Sequence, residues 1–512
     1  MKQKLSSRPK IADTLSQIGK LVATLREERS ITQADLAKEI GTTQSAVARI
    51  ERGEQNLSTE TLAKISGALK KEIMHVGTGS INLKIEGGRK LSGTITTKAS
   101  KNAAVTLLCA SLLNRSTTLL KNVPRIEEVY RIIEVLESIG MNVKWIGNDV
   151  ELTPKKISLS KINKDAAIKT RSIIMMIGPL IHYFKHFSLP QAGGCKLGSR
   201  TVRPHFFALE KLGVDIEAKS TSYAIGAPKL KPADIVLYES GDTATENTIM
   251  AASKIPGATT IRFASANYMV QDLCFYLQKL GVKIEGIGTT TLVVHGKKEL
   301  NATVTYYISE DPIESMFLIA TAILTRSSIT IERCPIDFLS IELLKLQKMG
   351  FKYKILKKYK AYNGETNLVD IKTFPSKLTA LEEKIESRPY PGLNIDNLPF
   401  FAIIGTQATG QTFIHDWVYE KRAIYYKDLD KLGADTILAD PHRFYVTGPT
   451  KLRGCEAICP PALRPAAILL IGMLGASGTS VLRNIYSINR GYEDLVNRLN
   501  SLGAKISILR EF

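Results

Sequence analysis

Histidine is scarce in this chain, with 7 among 512 residues, and the 6 cysteines never stand together as a C-x-x-C pair. No histidine accompanies a cysteine at metal-ligand spacing. The pattern argues against a zinc site and against a disulfide framework. Long apolar runs are missing too. Ala466–Leu474 is among the longest and is too short to span a bilayer. The opening residues, MKQKLSSRPK, are polar and lack the apolar stretch of a secretory signal. A reducing cytoplasm, without membrane contact, is the expected location. Acidic side chains are in deficit: 69 Lys and Arg against 49 Asp and Glu leave a net charge of +20. That excess suits an anionic substrate or DNA, and equally a lysine-rich solubilising surface. With 44% hydrophobic and 23% charged residues the composition is that of a globular protein, and the length predicts two or three domains.

Residues 18–73 read as a compact helical unit. Ile18, Leu21, Val22 and Leu25 share one helical stripe. Thr32 is placed to cap a helix, with Asp35 three residues on. Leu36, Ala37 and Ile40 recur at helical spacing, and Gly41 ends the run. Thr43 caps a second helix, Gln44 to about Glu51, with Val47 and Ile50 inward and Gln44, Ser45, Ala48 and Arg49 outward. Gly53 breaks it, and Ser58-Thr59 opens a third helix carrying Leu62, Ile65 and Leu69. Two short helices joined by a tight turn fit a DNA major groove. The stretch ITQADLAKEIGTTQSAVARIERGEQNLSTETLAKISGAL resembles the phage-repressor-like helix-turn-helix family. That resemblance implies Gln33, Gln44, Ser45 and Arg49 as the residues facing double-stranded DNA, where glutamine reads adenine edges and arginine reaches guanine or phosphate. One module binds weakly, so a homodimer is expected. A protein-interaction module remains the alternative. The link at 72–80 is short and holds Gly77 and Gly79.

The rest of the chain repeats one pattern six times. An apolar helix and a β-branched strand are followed by a second helix that ends at a glycine before further strands. The apolar segments include KNAAVTLLCASLL, the run from Arg171 through Gly178, ATENTIMAASKI, DPIESMFLIATAIL, NIDNLPFFAIIGTQA and LRPAAILLIGMLGA. The second helices end SIGMNV, KLGVDI, KLGVKI, KMGFKY, KLGADT and SLGAKI. A glycine there fits a helix C-cap. One such unit cannot bury both faces alone, but six can form two domains with their helices inward.

Over about residues 81–512 this arrangement resembles the enolpyruvyl transferases. The resemblance implies an α/β fold, a two-domain inside-out α/β barrel of six βαβαββ repeats, here preceded by a small all-α helix-turn-helix domain at 1–75. It places one domain at 81–100 plus 310–512 and the other at 101–309, with substrates in the cleft between. Phosphoenolpyruvate and a sugar nucleotide are strongly anionic, and arginine forks hold carboxylates and phosphates best. In KASKNAA, Lys101 corresponds to the lysine that contacts phosphoenolpyruvate and Asn102 to the asparagine that helps hold the sugar nucleotide. In LPQAGGCKLGSR, Cys195 corresponds to the mobile-loop cysteine that protonates the methylene carbon. Gly193, Gly194 and Gly198 allow that loop to move. Lys196 and Arg200 stand near enough in sequence to depress the thiol pKa. The cysteine separates the branch acting on UDP-N-acetylglucosamine from the shikimate branch.

By the same resemblance Arg200 and Arg464 clamp phosphoenolpyruvate, and Arg171, Arg422 and Arg490 stand at the family's other arginine positions. Asp396, in YPGLNIDNLPFF, is the base near the sugar 3-hydroxyl. Asp311 and Glu314, in SEDPIES, match family acids that are cleft-forming or structural. No metal or redox cofactor is implied. Departures cluster near the nucleotide. Thr201, Arg203 and Pro204 replace parts of the family's run there, while Val202 and His205 remain, His205 being a candidate substrate ligand. Residues 239–247 read ESGDTATEN, and Ala264–Met269 read ASANYM, where the family differs. Asn489 and Ile395 also depart. The expected function is transfer of the enolpyruvyl group from phosphoenolpyruvate to the 3-hydroxyl of UDP-N-acetylglucosamine, the first committed step toward peptidoglycan. The alternatives are a different nucleotide or nucleoside acceptor, or a transcription regulator that senses a sugar nucleotide.

Overall fold

A computed structural model describes residues 19, 22–27, 29, 31–54, 59–69, 81–191 and 201–510. The chain divides into a small amino-terminal unit, within the first 80 residues, and a large unit over Ile81–Leu509. Ile18, Leu21, Ser58 and the link at 72–80 lie outside the described residues. Among the described residues no helix is long and apolar enough to cross a membrane.

The small unit contains helices α1 (Gln33–Ile40), α2 (Gln44–Arg52) and α3 (Thr59–Ala68). Thr32 and Asp35 cap α1 reciprocally: the Asp35 amide donates to Thr32 Oγ1 and the Thr32 amide to Asp35 Oδ2, each at 3.2 Å. Gly41, in the left-handed region at φ 72°, closes α1. Thr43 then accepts the Ala46 amide and starts α2. Val22, Leu25, Leu36, Ile40, Val47, Ile50, Ile65 and Leu69 form one buried core.

Among its described residues the large unit carries six sheets. Three draw their strands from residues 118–307 and three from 81–96 and 328–510. Four of the six share one pairing order: a parallel pair, then two antiparallel neighbours. The sheet holding Glu456–Ile458, Thr479–Arg483, Ile81–Glu86 and Ile506–Arg510 begins the same way. The sixth has three described strands, all antiparallel. The repeat seen in the sequence is thus a repeat of sheet pairing. Its six glycines, 140, 213, 281, 350, 433 and 503, all take φ between 85° and 107°. L side chains are strained there, so glycine closes the helix and releases the next strand in every unit.

The helices lie inside. Six are labelled α4 (Lys101–Ala110), α5 (Asp242–Ala252), α6 (Tyr268–Lys279), α7 (Pro312–Leu324), α8 (Leu398–Gly405) and α9 (Leu463–Gly475). In α7 and α9, 12 of 13 residues are buried. A helix apolar on every side belongs to an interior. α7, α8 and α9 pack on one another, as do α4 and α5 on α6. The second repeat differs from the apolar helix its sequence suggests. Arg171–Met176 form a 3-10 turn and Ile177–Leu180 a single α turn. Pro179 lacks an amide to continue the ladder. Gly178 sits so close to α5 that a Cβ would fall 2.6 Å from the Asn247 carbonyl oxygen.

The chain passes between the two groups of sheets at 98–100 and again at 309–311. The two passages run side by side: the Ser100 amide donates to the Ser309 carbonyl at 2.8 Å and the Asp311 amide to the Lys98 carbonyl at 2.9 Å. Asp272 braces the junction, accepting Tyr306 OH at 2.6 Å and both the amide and hydroxyl of Ser309 at 3.1 Å.

Candidate active site

A cavity of about 730 Å³ lies between the two groups of sheets. Its walls bring together Lys101, Asn102, Arg171, His205, Asp396, Arg422, Arg464 and Arg490, which are spread over some 390 residues of sequence. Cys195 and Arg200, with Gly193, Gly194, Lys196 and Gly198, lie outside the described residues.

Asp396 sits just before α8. The loop that holds it is built from its own asparagines: Asn394 Oδ1 accepts the Asp396 amide at 2.8 Å. Buried Glu342 then fixes the loop, accepting the Asn394 amide at 3.1 Å and Asn397 Nδ2 at 2.9 Å. Two arginines converge on the carboxylate. Arg464, in the first turn of α9, donates to Asp396 Oδ2 at 3.1 Å and to Tyr492 OH at 3.0 Å. Arg422 Nη1 stands 3.7 Å from Asp396 Oδ1. Burial alone would raise the Asp396 pKa, but Arg464 and Arg422 override it and hold the carboxyl below its usual range.

Arg422 is 1% exposed and cannot remain buried without a counter-charge. Asp416 supplies it, accepting Nε at 2.6 Å and Nη2 at 2.8 Å, and also accepting Tyr426 OH at 2.6 Å. The Tyr419 ring covers the guanidinium at 4.2 Å. This clamp leaves Nη1 aimed toward Asp396. Arg422 Nη1, Arg464 Nε and Arg490 Nε are buried donors without an acceptor among the described residues. Three such donors around one cavity suit a ligand rich in anionic oxygen.

Lys101 opens α4, where Ser100 Oγ accepts the Ala103 amide. Its ammonium pairs with Glu128 at 2.9 Å. Burial works to raise the Glu128 pKa, yet Lys101 and Arg490 bring it below the ordinary carboxylate value. Asn102 Nδ2 donates to Tyr268 OH at 3.3 Å. His205 reaches the wall from α5's side. Asn247 Nδ2 donates to its Nδ1 at 3.2 Å, and its Nε2 lies 3.3 Å from Thr243 Oγ1. Because Gly178's amide donates to Asn247 Oδ1, the amide group is oriented and the imidazole is the neutral Nε2-protonated form. Burial, then Arg171, pushes the His205 pKa down to about 3. Both ring nitrogens are engaged within the protein.

The end of the cavity formed by 238–246 has another character. Glu239, Asp242 and Glu246 line it beside Tyr238 and Phe263. Glu246 is pushed well above its ordinary range by burial, then by Asp242. Asp311 caps α7 through the Ile313 amide at 2.8 Å, and burial raises its pKa to about 6. Glu314 pairs with Arg498 and accepts the Lys98 amide at the passage between the sheets. Glu128, Glu342, Asp416 and Tyr492 are not among the residues the sequence singles out. Asp416 carried a signal, an acid set against the apolar strand TFIH six residues before Arg422.

In the small unit Gln44, Ser45 and Arg49 are placed on α2, with Gln44 and Ser45 exposed. Gln33 is half-buried, and its Nε2 donates to Glu51 at 2.8 Å, where Arg26 also binds at 2.6 Å. The module fixes that amide rather than leaving it free to seek a base.

A family model described as EPSP synthase (3-phosphoshikimate 1-carboxyvinyltransferase) matches residues 85–499, and a helix-turn-helix model matches residues 22–74. The UDP-N-acetylglucosamine 1-carboxyvinyltransferase of Treponema denticola is 36% identical over 420 residues, which is 81% of this chain and 96% of that protein. That of Bradyrhizobium diazoefficiens is 34% identical over 427 residues, 82% of this chain and 96% of that protein. Among solved structures, the enolpyruvyl transferase NikO from Streptomyces tendae superposes with a TM-score of 0.74 at 24% identity, covering 85% of this chain and all of that one. An EPSP synthase from Acinetobacter baumannii does so at 0.67 and 17%, covering 84% and all. These two likenesses are of fold.

Proposed function

Since this chain belongs to the enolpyruvyl transferase family, with UDP-N-acetylglucosamine 1-carboxyvinyltransferases among its relatives, we propose that it transfers the enolpyruvyl group of phosphoenolpyruvate to the 3-hydroxyl of UDP-N-acetylglucosamine, releasing phosphate. The observation that carries this reading is the ionised Asp396 held between Arg464 and Arg422 in a cavity also lined by Lys101 and Arg490. The arginines and Lys101 hold the carboxylate and phosphate of the donor. Asp396 accepts the proton of the sugar hydroxyl as its oxygen bonds to C2 of phosphoenolpyruvate. The methylene carbon C3 gains a proton at the same stage, and Cys195 is the donor that family resemblance supplies. The tetrahedral adduct then loses phosphate from C2 and a proton from C3, restoring the double bond in the product. The test is phosphate release from the purified protein with both substrates, against Cys195→Ala and Asp396→Asn. Release by the parent and little by either variant supports the reading. Equal release by all three removes both residues from the mechanism.

The acidic end of the cavity favours a second acceptor reading. Glu239 and Asp242 line the region where the sequence departs from the family near the nucleotide. Carboxylates there accept hydrogen bonds from a base or sugar and repel phosphate. Turnover with a nucleoside in place of UDP-N-acetylglucosamine identifies that case. For the small unit the proposed partner is double-stranded DNA, met through Gln44, Ser45 and Arg49, with two copies of the chain on adjacent half-sites. Loss of duplex binding in Gln44→Ala/Arg49→Ala tests it.

A further inference from the structure

The chain's positive charge is not spread evenly. Between Lys345 and Lys360, 7 of 16 residues are lysine and none is acidic. None of the seven lines the catalytic cavity. None forms an ion pair within 4.0 Å among the described residues. Lys352–Lys360 is the outer strand of the sheet that also holds Asn367–Phe374, Ser328–Pro335 and Ser92–Thr96. Lys352, Lys354, Lys357, Lys358 and Lys360 are exposed, while Tyr353, Ile355 and Tyr359 are half-buried. Lys345 and Lys348 lie in the last turn of the preceding helix, Ser340–Lys348.

Lysines on an outer strand protect a sheet from pairing with another edge. That accounts for a charge on the strand itself. It does not account for Lys372, which lies on the next strand inward and directly opposite Lys354 in the antiparallel register. Like charges facing across two strands destabilise a sheet. Nor does edge protection call for Lys345 and Lys348 on a helix. In the same register Asp370 faces Lys357 and offsets part of this charge, and the remainder is open to an external anion. The row Lys352–Lys360 is about 27 Å long at about 3.4 Å per residue. Over that length duplex DNA presents about sixteen phosphate charges.

We propose that this lysine-rich sheet edge, with side chains on both sides of the outer strand, is a second DNA-binding surface, holding the phosphate backbone without sequence preference. The proposal takes its choice of polyanion from the reading of the small unit as a DNA-binding module. Sequence would be read by α2, and affinity would be raised by phosphates that any duplex offers.

The experiment measures binding of the full chain to a duplex of about 30 base pairs of arbitrary sequence at several salt concentrations. The parent is compared with K352Q/K354Q/K357Q/K358Q and with Q44A/R49A, and phosphate release serves as the folding control for both. Each lysine–phosphate pairing removed should flatten the slope of log K against log salt by about 0.9, so the four-lysine variant should have a slope shallower by up to about 3.6. Its transferase activity should be unchanged. Parent-like slope and affinity in the lysine variant overturn the proposal, even if Q44A/R49A abolishes binding and so upholds the small unit's role. The reverse result, binding abolished in the lysine variant and kept in Q44A/R49A, upholds the surface and refutes the helix-turn-helix reading. No duplex binding by the parent refutes both. Capture of the parent by phosphatidylserine vesicles, with no DNA binding, also overturns the proposal in favour of a lipid surface.

Discussion

Replacing Asp396 with asparagine should separate catalysis from substrate binding. The carboxylate lies 3.1 Å from one Arg464 nitrogen and 3.7 Å from one of Arg422. At an effective dielectric of about 20, these pairs are worth roughly 5 and 4 kcal/mol before desolvation is subtracted. Phosphoenolpyruvate must compete with that internal anion for the same guanidinium groups. If a fifth of the gross attraction survives desolvation, removing the charge frees about 1–2 kcal/mol, which is roughly a five- to thirty-fold tighter donor complex. The amide oxygen still accepts a hydrogen bond, so the fold should survive. The variant lacks a base for the sugar hydroxyl, and kcat should fall by about 10² to 10⁴. Calorimetric titration with phosphoenolpyruvate and steady-state phosphate release read the two effects independently. Donor binding that weakens together with kcat would show that Asp396 holds the substrate rather than competing with it, and kcat within about threefold of the parent would remove it from the chemistry.

Asp416→Asn should leave Arg422 buried against a neutral partner and cost about 3–5 kcal/mol in urea unfolding, where an unchanged midpoint would contradict the clamp. Glu342→Leu removes the shared acceptor of Asn394 and Asn397, so kcat should drop by roughly tenfold or more with little change in donor affinity. His205 has a folded pKa of about 3, below the ordinary imidazole value of about 6.5. The unfolded chain therefore binds the extra proton first, and the stability this group contributes, present above about 6.5, drains away as pH falls toward 3. His205→Asn should flatten the stability–pH curve in that window, and an unchanged slope would place the acid sensitivity elsewhere. Gly178→Ala puts a methyl 2.6 Å from the Asn247 carbonyl and should cost about 1–3 kcal/mol in thermal unfolding.

What the sequence made legible was whatever repeats locally. The glycine that ends each second helix is visible because one backbone conformation demands it, and all six positions adopt that conformation. Thr32, Asp35, Gly41 and Thr43 were readable for the same reason: a cap acts within four residues. The catalytic cavity was not readable from pattern. Asp396, Arg422 and Arg464 are 26 to 68 residues apart and meet only because α8 and α9 pack together, so family resemblance had to name them. Supports such as Glu128, Glu342 and Asp416 escaped notice altogether. A buried acid looks like any other acid until its partner is known. The broken helix of the second repeat was hidden as well, since Ile173–Met176 is as apolar as a true helix. Pro179 and the closeness of Asn247 together mark the break at Gly178.

The side-by-side passages at 98–100 and 309–311 make everything between them a cassette. The segment 101–309 leaves the rest of the protein and returns to it within one hydrogen bond, Ser100 to Ser309. Among the described residues its three sheets borrow no strand from outside. Chain ends that meet in this way are where whole pieces can be exchanged, excised or permuted without rerouting the remainder. The cavity arginines Arg422, Arg464 and Arg490 lie outside the cassette, whereas Lys101, Arg171, Glu239 and Asp242 lie within it. A transplanted cassette therefore carries Lys101 and Cys195 along with the acids at the acceptor end, so the proposed proton donor travels with acceptor preference while Asp396 stays with the host.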